Sequence, residues 1–427
     1  MNYTEAIKYT ETRMWKNGFN GFDRMKTVLA HLGDPQKQLR FIHVAGSNGK
    51  GSTCAMVSSV LRCAGYTTGL FISPHLIKYN ERISVNGTDI SDDYFALGVT
   101  LIKEACETTG CELTIFERLT ILCFWYCARM HADFVVLEVG LGGRCDSTNV
   151  IDAPEVSVIA HMALEHTEIL GDTLEKITAE KAEIIKEGCP VVMMHQDEGA
   201  MQVVRAKAAA MHAPLTETAP GEETLVSATL GLQVIDYRSR KNVKLGLFGE
   251  YQYRNSALAL DVIDVLIKKG YSISEEAIYE GMEQVSWPGR FQMLCQSPMI
   301  LLDGAHNPDG AQVLKTSLET YFPGRKFRFM MGVMADKHYE EMLQIITPLA
   351  ESFTCVAVED ARALDSDSLA ALIRQNYGIP ARDAGSVAQG LELELADQTK
   401  DQILVIFGSL YQAGDVLHYF KEHGLMA

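Results

Sequence analysis

Gly49, Lys50 and Gly51 set a lysine between two glycines directly after an apolar run, in LRFIHVAGSNGKGSTCAMVSSVLRCAG. A strand ending at Val44 and a helix leaving the glycines would aim backbone N–H groups and the Lys50 ammonium at one anion. Phosphate is the anion such helix mouths bind. The stretch nevertheless misses the G-x-x-x-x-G-K-[ST] pattern of a phosphate loop. Val44 stands where the first glycine belongs, Gly51 follows the lysine, and the hydroxyl comes one residue late, at Ser52. An ordinary glycine-rich turn would account for Gly46 and Gly49. It does not account for a lysine between glycines at a helix mouth.

Carboxylates end other apolar runs. DFVVLEVGLGG reaches Glu138, and in an open parallel sheet the carboxyl tip of a strand faces the ligand crevice. Magnesium takes hard oxygen donors and shares them with phosphates, so Glu138 suits a metal there, with helix capping as the alternative. Arg144, in GLGGRCDSTN, could meet an anion. VSVIAHMAL leads to Glu165-His166 at the same edge. Lys181, with Glu180 and Glu183 beside it, reads by default as an exposed ion-pair former. MILLDGAHNPDGA carries an apolar run into Asp303, then His306, Asn307 and Asp309. A strand-tip aspartate can hold a ribose, although Asn-Pro-Asp-Gly also makes a tight turn unaided. His306 has no partner in the sequence that would make a nucleophilic triad.

These positions need a scaffold of strands that end together. Apolar β-type runs alternate with helical spacing along the chain, which predicts α/β architecture with a mostly parallel sheet. DTLEKITAEKAEIIKEG predicts a helix capped by Gly188, CPVVMM a strand, and residues 216–244 a small antiparallel excursion. Proline and glycine cluster at residues 286–298, after which strand, loop and helix patterns restart. The expected domains are 1–292, for nucleotide binding, and 293–427. A length of 427 residues fits this division. A net charge of −17 argues against nucleic acid as partner. Ten scattered cysteines without C-x-x-C suggest a reduced, cytoplasmic setting. The polar N-terminus is no signal peptide, and the apolar run 121–127 is too short for a membrane span.

Taken together, the motifs resemble the folylpolyglutamate synthase / dihydrofolate synthase family of the Mur ligase superfamily, over nearly the whole length. HVAGSNGKGST is similar to the family's phosphate loop, in which Lys-Gly-Ser is the rule, so the missed pattern is itself the signature. GFDRMKTVLAHLGDPQ, FISPHLIKYNERISVNG, FERLT, LEVGLGGRCDSTN, EKAEIIK, WPGRFQ, DGAHNPDGA and GSLYQAGDV match further family segments in order. The resemblance implies a P-loop, Mur-ligase-like central domain and a smaller Rossmann-like α/β C-terminal domain. It places Gly46, Ser47, Asn48, Gly49, Lys50, Gly51 and Ser52 on the ATP phosphates, with Asn255, Arg290 and Asp303 as further ATP contacts. Ser73, Glu138 and His166 match magnesium ligands. Lys181 matches a lysine carbamylated by CO2, whose new carboxylate helps bind a second magnesium. Lys50, Lys181, Arg290 and His306 are the catalytic candidates, the role of His306 being open. The chain departs from the pattern at Ser47 (threonine), Glu165 (aspartate), Glu183 (glycine), Tyr251 (histidine) and Ser256 (alanine).

The implied reaction is ATP-dependent amide formation by a monomer. A folate carboxylate takes the γ-phosphoryl group to give an acyl phosphate, which the amine of L-glutamate attacks. ATP is expected to be held by both domains, which close around it. The acceptor is a reduced folate, with dihydropteroate possible in addition, and residues 19–26 and 116–120 are expected at the pterin. The alternatives are a dedicated dihydrofolate synthase, another Mur-type amino-acid ligase, or a P-loop ATPase used as a switch. The last gives no use for Lys181 or DGAHNP.

Overall fold

The computed structural model describes residues 1–12, 21–229, 232–397 and 401–425. Phe19 and Asn20, two of the expected pterin contacts, lie outside the described residues. The chain forms two compact units. The first comprises Met1–Glu223, Tyr237–Ser239 and Arg254–Val285, the second Thr224–Asp236, Arg240–Tyr253 and Ser286–Ala427. Among the described residues no helix is long and apolar enough to cross a membrane.

The first unit is built on an eight-stranded sheet of β1 (Phe41–Ala45), β2 (Thr68–Phe71), β3 (Ile83–Val85), β4 (Thr88–Asp89), β5 (Phe134–Glu138), β6 (Val156–Ile159), β7 (Val191–Met193) and β8 (Leu215–Glu217). The spatial order is β4-β3-β2-β5-β1-β6-β7-β8. Every pair from β2 across to β8 is parallel, and β3 and β4 add on antiparallel at one edge. The central strands β1, β5 and β6 are buried along their whole length, as strands covered by helices on both faces must be. Register decides what meets at their ends: Val44 pairs with Glu138, and Ala45 with Ile159. The phosphate-loop strand, the Glu138 strand and the strand leading to Glu165 therefore end side by side.

Local signals fix the helices. Thr114 and Glu117 form a reciprocal capping box at the start of the helix Ile115–Arg129. Thr173 caps Leu174–Ala182 through the Lys176 amide. That helix stops at Ala182 and does not run on to Gly188. Ile184 and Ile185 are buried, and the Ser157 hydroxyl on β6 donates to the Ile184 carbonyl at 3.0 Å. The chain leaves helical geometry so that both isoleucines reach the core. The expected antiparallel excursion also begins later, because Leu215–Glu217 pairs in parallel with β7. A separate three-stranded sheet follows, with β9 (Glu223–Thr229), β10 (Leu232–Tyr237) and β11 (Arg240–Leu245) side by side.

The second unit carries a six-stranded sheet of β12 (Gln292–Gln296), β13 (Met299–Leu302), β14 (Phe327–Met331), β15 (Ala350–Ala357), β16 (Ala381–Ser386) and β17 (Ile403–Phe407). Its order is β12-β13-β17-β14-β15-β16, parallel except for β12 at the edge. Phe329 stacks on Phe353 with ring centroids 5.4 Å apart and meets Phe407 edge-on at 5.5 Å, in the centre of this unit's core. Asn307 accepts from the Gly310 amide and caps the helix Pro308–Tyr321, with proline at its first position. Asn-Pro-Asp-Gly is thus a helix start directly after the tip of β13.

Candidate active site

In the first unit the glycine loop closes over the end of β1. The Ser47 and Asn48 amides donate to the His161 carbonyl at 2.8 and 3.2 Å, and the Ser47 hydroxyl to the Ala163 carbonyl at 3.0 Å. The loop is therefore tied to the segment leaving β6. Gly49 is left-handed, with φ +82°, at the mouth of the helix Lys50–Cys63, and no side chain caps that helix. A Cβ on Gly49 would lie 2.5 Å from the Asn255 side-chain oxygen, so glycine is required by backbone and by space. Asn255 is buried against the loop. The Lys50 ammonium curls back onto the Gly46 and Ser47 carbonyls, both at 2.9 Å, leaving one of its three donors.

Lys181 corrects the default sequence reading. It is 2 % exposed, not a solvated helix residue. Its ammonium donates to the Gly46 carbonyl at 2.8 Å and pairs with Glu165 at 2.8 Å. Both Lys50 and Lys181 thus converge on Gly46. Burial, with the Lys50 charge adding to it, lowers the Lys181 pKa to about 8 against the pull of Glu165. Burial alone would raise the Glu165 carboxyl, but the charges of Lys50 and Lys181 hold it at about 2. Glu165, one methylene longer than the aspartate of the family pattern, spans to the lysine. Glu183 pairs with Lys207 at 2.8 Å, so its extra charge is compensated locally.

Glu138 is 4 % exposed and accepts from the Ser73 amide at 3.0 Å, which joins two of the expected metal ligands. Behind it, Asp146 accepts from the Gly140 and Leu141 amides at 3.0 and 2.9 Å. His166 follows Glu165 in a left-handed conformation, with φ +47°, and is exposed. Among the described residues no three His, Cys, Asp or Glu side chains form a metal-holding group. Magnesium does not require one, since it keeps waters and phosphate oxygens and takes one or two carboxylates. The adjoining Glu138 and Ser73 fit such a demand. Ser52, one of the expected phosphate contacts, is buried at the first turn of the helix after the loop. Arg144 pairs with Glu180 at 2.8 Å and is exposed.

The sequence gives no hint of a cavity of about 250 Å³ lined by Met194, His195, Thr218, Glu223, Arg254 and Ala257. Three separate segments build it, just beyond β7 and β8. Arg254 and Ala257 stand one turn apart on the helix Gln252–Lys268, which also carries Asn255. Only the fold brings those segments together.

In the second unit Asp303 leaves β13 5 % exposed. It accepts from the Phe291 amide at 2.8 Å, the Ala305 amide at 2.8 Å and the Tyr251 hydroxyl at 3.2 Å. Burial raises its carboxyl above the ordinary range, opposed by the charge of Arg290. His306 Nδ1 is 2.8 Å from the Gly304 carbonyl, so that nitrogen carries the proton and Nε2 is the one that can accept.

Models of two domain families match the chain: the Mur ligase middle domain at residues 44–263 and the Mur ligase glutamate ligase domain at residues 289–410. A dihydrofolate synthase/folylpolyglutamate synthase of Bacillus subtilis is 35 % identical over 430 residues, covering 97 % of this chain and 99 % of that one. The Mycobacterium tuberculosis folylpolyglutamate synthase complexed with ADP superposes with a TM-score of 0.89 at 28 % identity, covering 98 % of each chain. Escherichia coli FolC in complex with DHPP and ADP superposes with a TM-score of 0.87 at 29 % identity, covering 99 % of each.

Proposed function

Since the chain belongs to the folylpolyglutamate synthase / dihydrofolate synthase family of Mur ligases and is an ATP-dependent ligase, we propose that it joins L-glutamate to the carboxylate of reduced folates. We extend this to dihydropteroate, giving dihydrofolate, because the Bacillus relative carries both names and the Escherichia structure holds DHPP. The observation that carries the reading is the shared Gly46 carbonyl. It puts Lys181, the lysine with no use in a plain ATPase, against the loop assigned to phosphates.

In this reading the acceptor carboxylate attacks the γ-phosphorus of ATP, forming the acyl phosphate and releasing ADP. The glutamate amine then attacks the acyl carbon, the amide forms, and phosphate leaves. Phosphoryl transfer depends on positioning and on spreading negative charge. Gly46 to Ser52 would supply amides, Lys50 a cation, and the cavity lined by Arg254 and Ala257 a seat for the base. Arg290 and Asp303 would serve the charge and sugar of the nucleotide, and His306 Nε2 a proton acceptor for the incoming amine. Ser73, Glu138 and His166 would hold magnesium, which when bound neutralises phosphate charge. Lys181 would become a second acidic ligand: its neutral amine attacks CO2, an N–C bond forms, and one proton is released.

A protonated amine cannot make that attack. With the Lys181 pKa lowered to about 8, the reactive form is scarce below that pH and grows as pH rises through it. At fixed dissolved CO2, 13C label trapped at Lys181 is therefore expected to increase from pH 7 to pH 9; a flat profile contradicts the assignment. The overall reaction is tested by mass spectrometry of tetrahydrofolate incubated with ATP, magnesium and glutamate. Successive additions of a glutamyl residue support it, and an unaltered folate with ATP consumed sinks it.

A further inference from the structure

Position 251 is histidine in the family pattern and tyrosine in this chain, and the ring has a prepared seat. Gly249, two residues before it, is left-handed, with φ +104°, and a Cβ there would lie 2.6 Å from the Tyr251 ring. The ring lies across that glycine, and its hydroxyl donates to Asp303 Oδ2 at 3.2 Å. The same oxygen accepts from the Phe291 amide at 2.8 Å, whereas Oδ1 accepts only from the Ala305 amide, at 2.8 Å. An ionised carboxylate has about four lone-pair sites, two to each oxygen. Tyr251 thus fills the last site of Oδ2 and leaves one open site, on Oδ1. Arg290 acts on the group through charge.

We infer that Tyr251 is a positioning residue that makes Asp303 a one-site acceptor, so that the carboxylate takes one hydroxyl of the nucleotide sugar and not both. The inference rests on the reading of Asp303 as an ATP contact. The phenol contributes by occupying an acceptor position that a second hydroxyl would otherwise use.

The test is calorimetric binding of ADP, 2′-deoxy-ADP and 3′-deoxy-ADP to the full chain, for the wild type, Tyr251→Phe and Asp303→Asn. The wild type is expected to bind one deoxy analogue about tenfold more weakly than ADP, the loss of one hydrogen bond to a charged acceptor, and the other as tightly as ADP. Tyr251→Phe, which removes a single oxygen, is expected to weaken both analogues to a similar degree, because the released Oδ2 site accepts the second hydroxyl. Equal losses for both analogues in the wild type overturn the inference. So does a wild-type difference that survives in Tyr251→Phe but disappears in Asp303→Asn, which leaves Asp303 as a sugar contact. If Asp303→Asn binds all three nucleotides as the wild type does, the reading of Asp303 falls, and the inference falls with it.

Discussion

Lys181→Ala is expected to lower kcat by at least about 10²-fold, the usual scale for losing a charged group preorganised for the transition state. The side chain sits 2 % exposed between Gly46 and Glu165, where its amine is the one assigned to carbamylation. Its removal also strands Glu165, whose carboxylate is held low in pKa by Lys50 and Lys181 together. Breaking a buried pair from one side costs about 3 kcal/mol or more, discounted here because Lys50 remains. A lower melting temperature should therefore accompany the kinetic loss. Lys181→Arg separates the two effects. A guanidinium keeps a cation beside Glu165 but has no neutral amine to offer CO2. Recovered stability with activity still lost is the expected pattern, and normal turnover in either variant would reduce Lys181 to a structural cation.

Glu138→Gln has the second largest expected effect. The carboxylate stands at the tip of β5, beside the end of the phosphate-loop strand by register, and already accepts the Ser73 amide. The amide is nearly isosteric but uncharged, and a hard dication binds a neutral oxygen less well. We expect the magnesium concentration for half-maximal rate to rise by about 10-fold or more and kcat to fall by about 10²-fold, the scale on which metal chemistry contributes. Melting should change little, because the hydrogen bond from Ser73 can persist to the side-chain oxygen. Unchanged magnesium dependence would remove Glu138 from the metal site.

The sequence exposed most strongly what the backbone itself must do. The glycine loop was legible because Lys50 stands between two glycines directly after an apolar run; the left-handed turn at Gly49 and its close approach to Asn255 came only with the structure. Glu138 and Asp303 stood out because each closes an apolar run that reads as a buried strand. Features set by tertiary packing were not. Lys181 looked solvated among glutamates, yet its face of the helix turns toward the phosphate loop. The strand Ala381–Ser386 has a polar sequence with little alternation and belongs to the sheet by its pairing with β15. Val191–Met193 read as a strand, but the parallel strand Leu215–Glu217 and the cavity that the segments after both strands form with Arg254 gave no signal. The contact between Tyr251 and Asp303 joins residues 52 apart, beyond the reach of any local pattern.

The central claim is that ATP cleavage in this protein is coupled to activating a folate-type carboxylate. The most direct measurement is ADP release by purified protein with ATP, magnesium and glutamate, with tetrahydrofolate, dihydropteroate or no acceptor. The account predicts release with tetrahydrofolate and with dihydropteroate, and almost none without an acceptor. Release with tetrahydrofolate alone would narrow the activity to polyglutamylation, and release with dihydropteroate alone to dihydrofolate synthesis. Equal release in all three conditions, or none in any, would contradict the account.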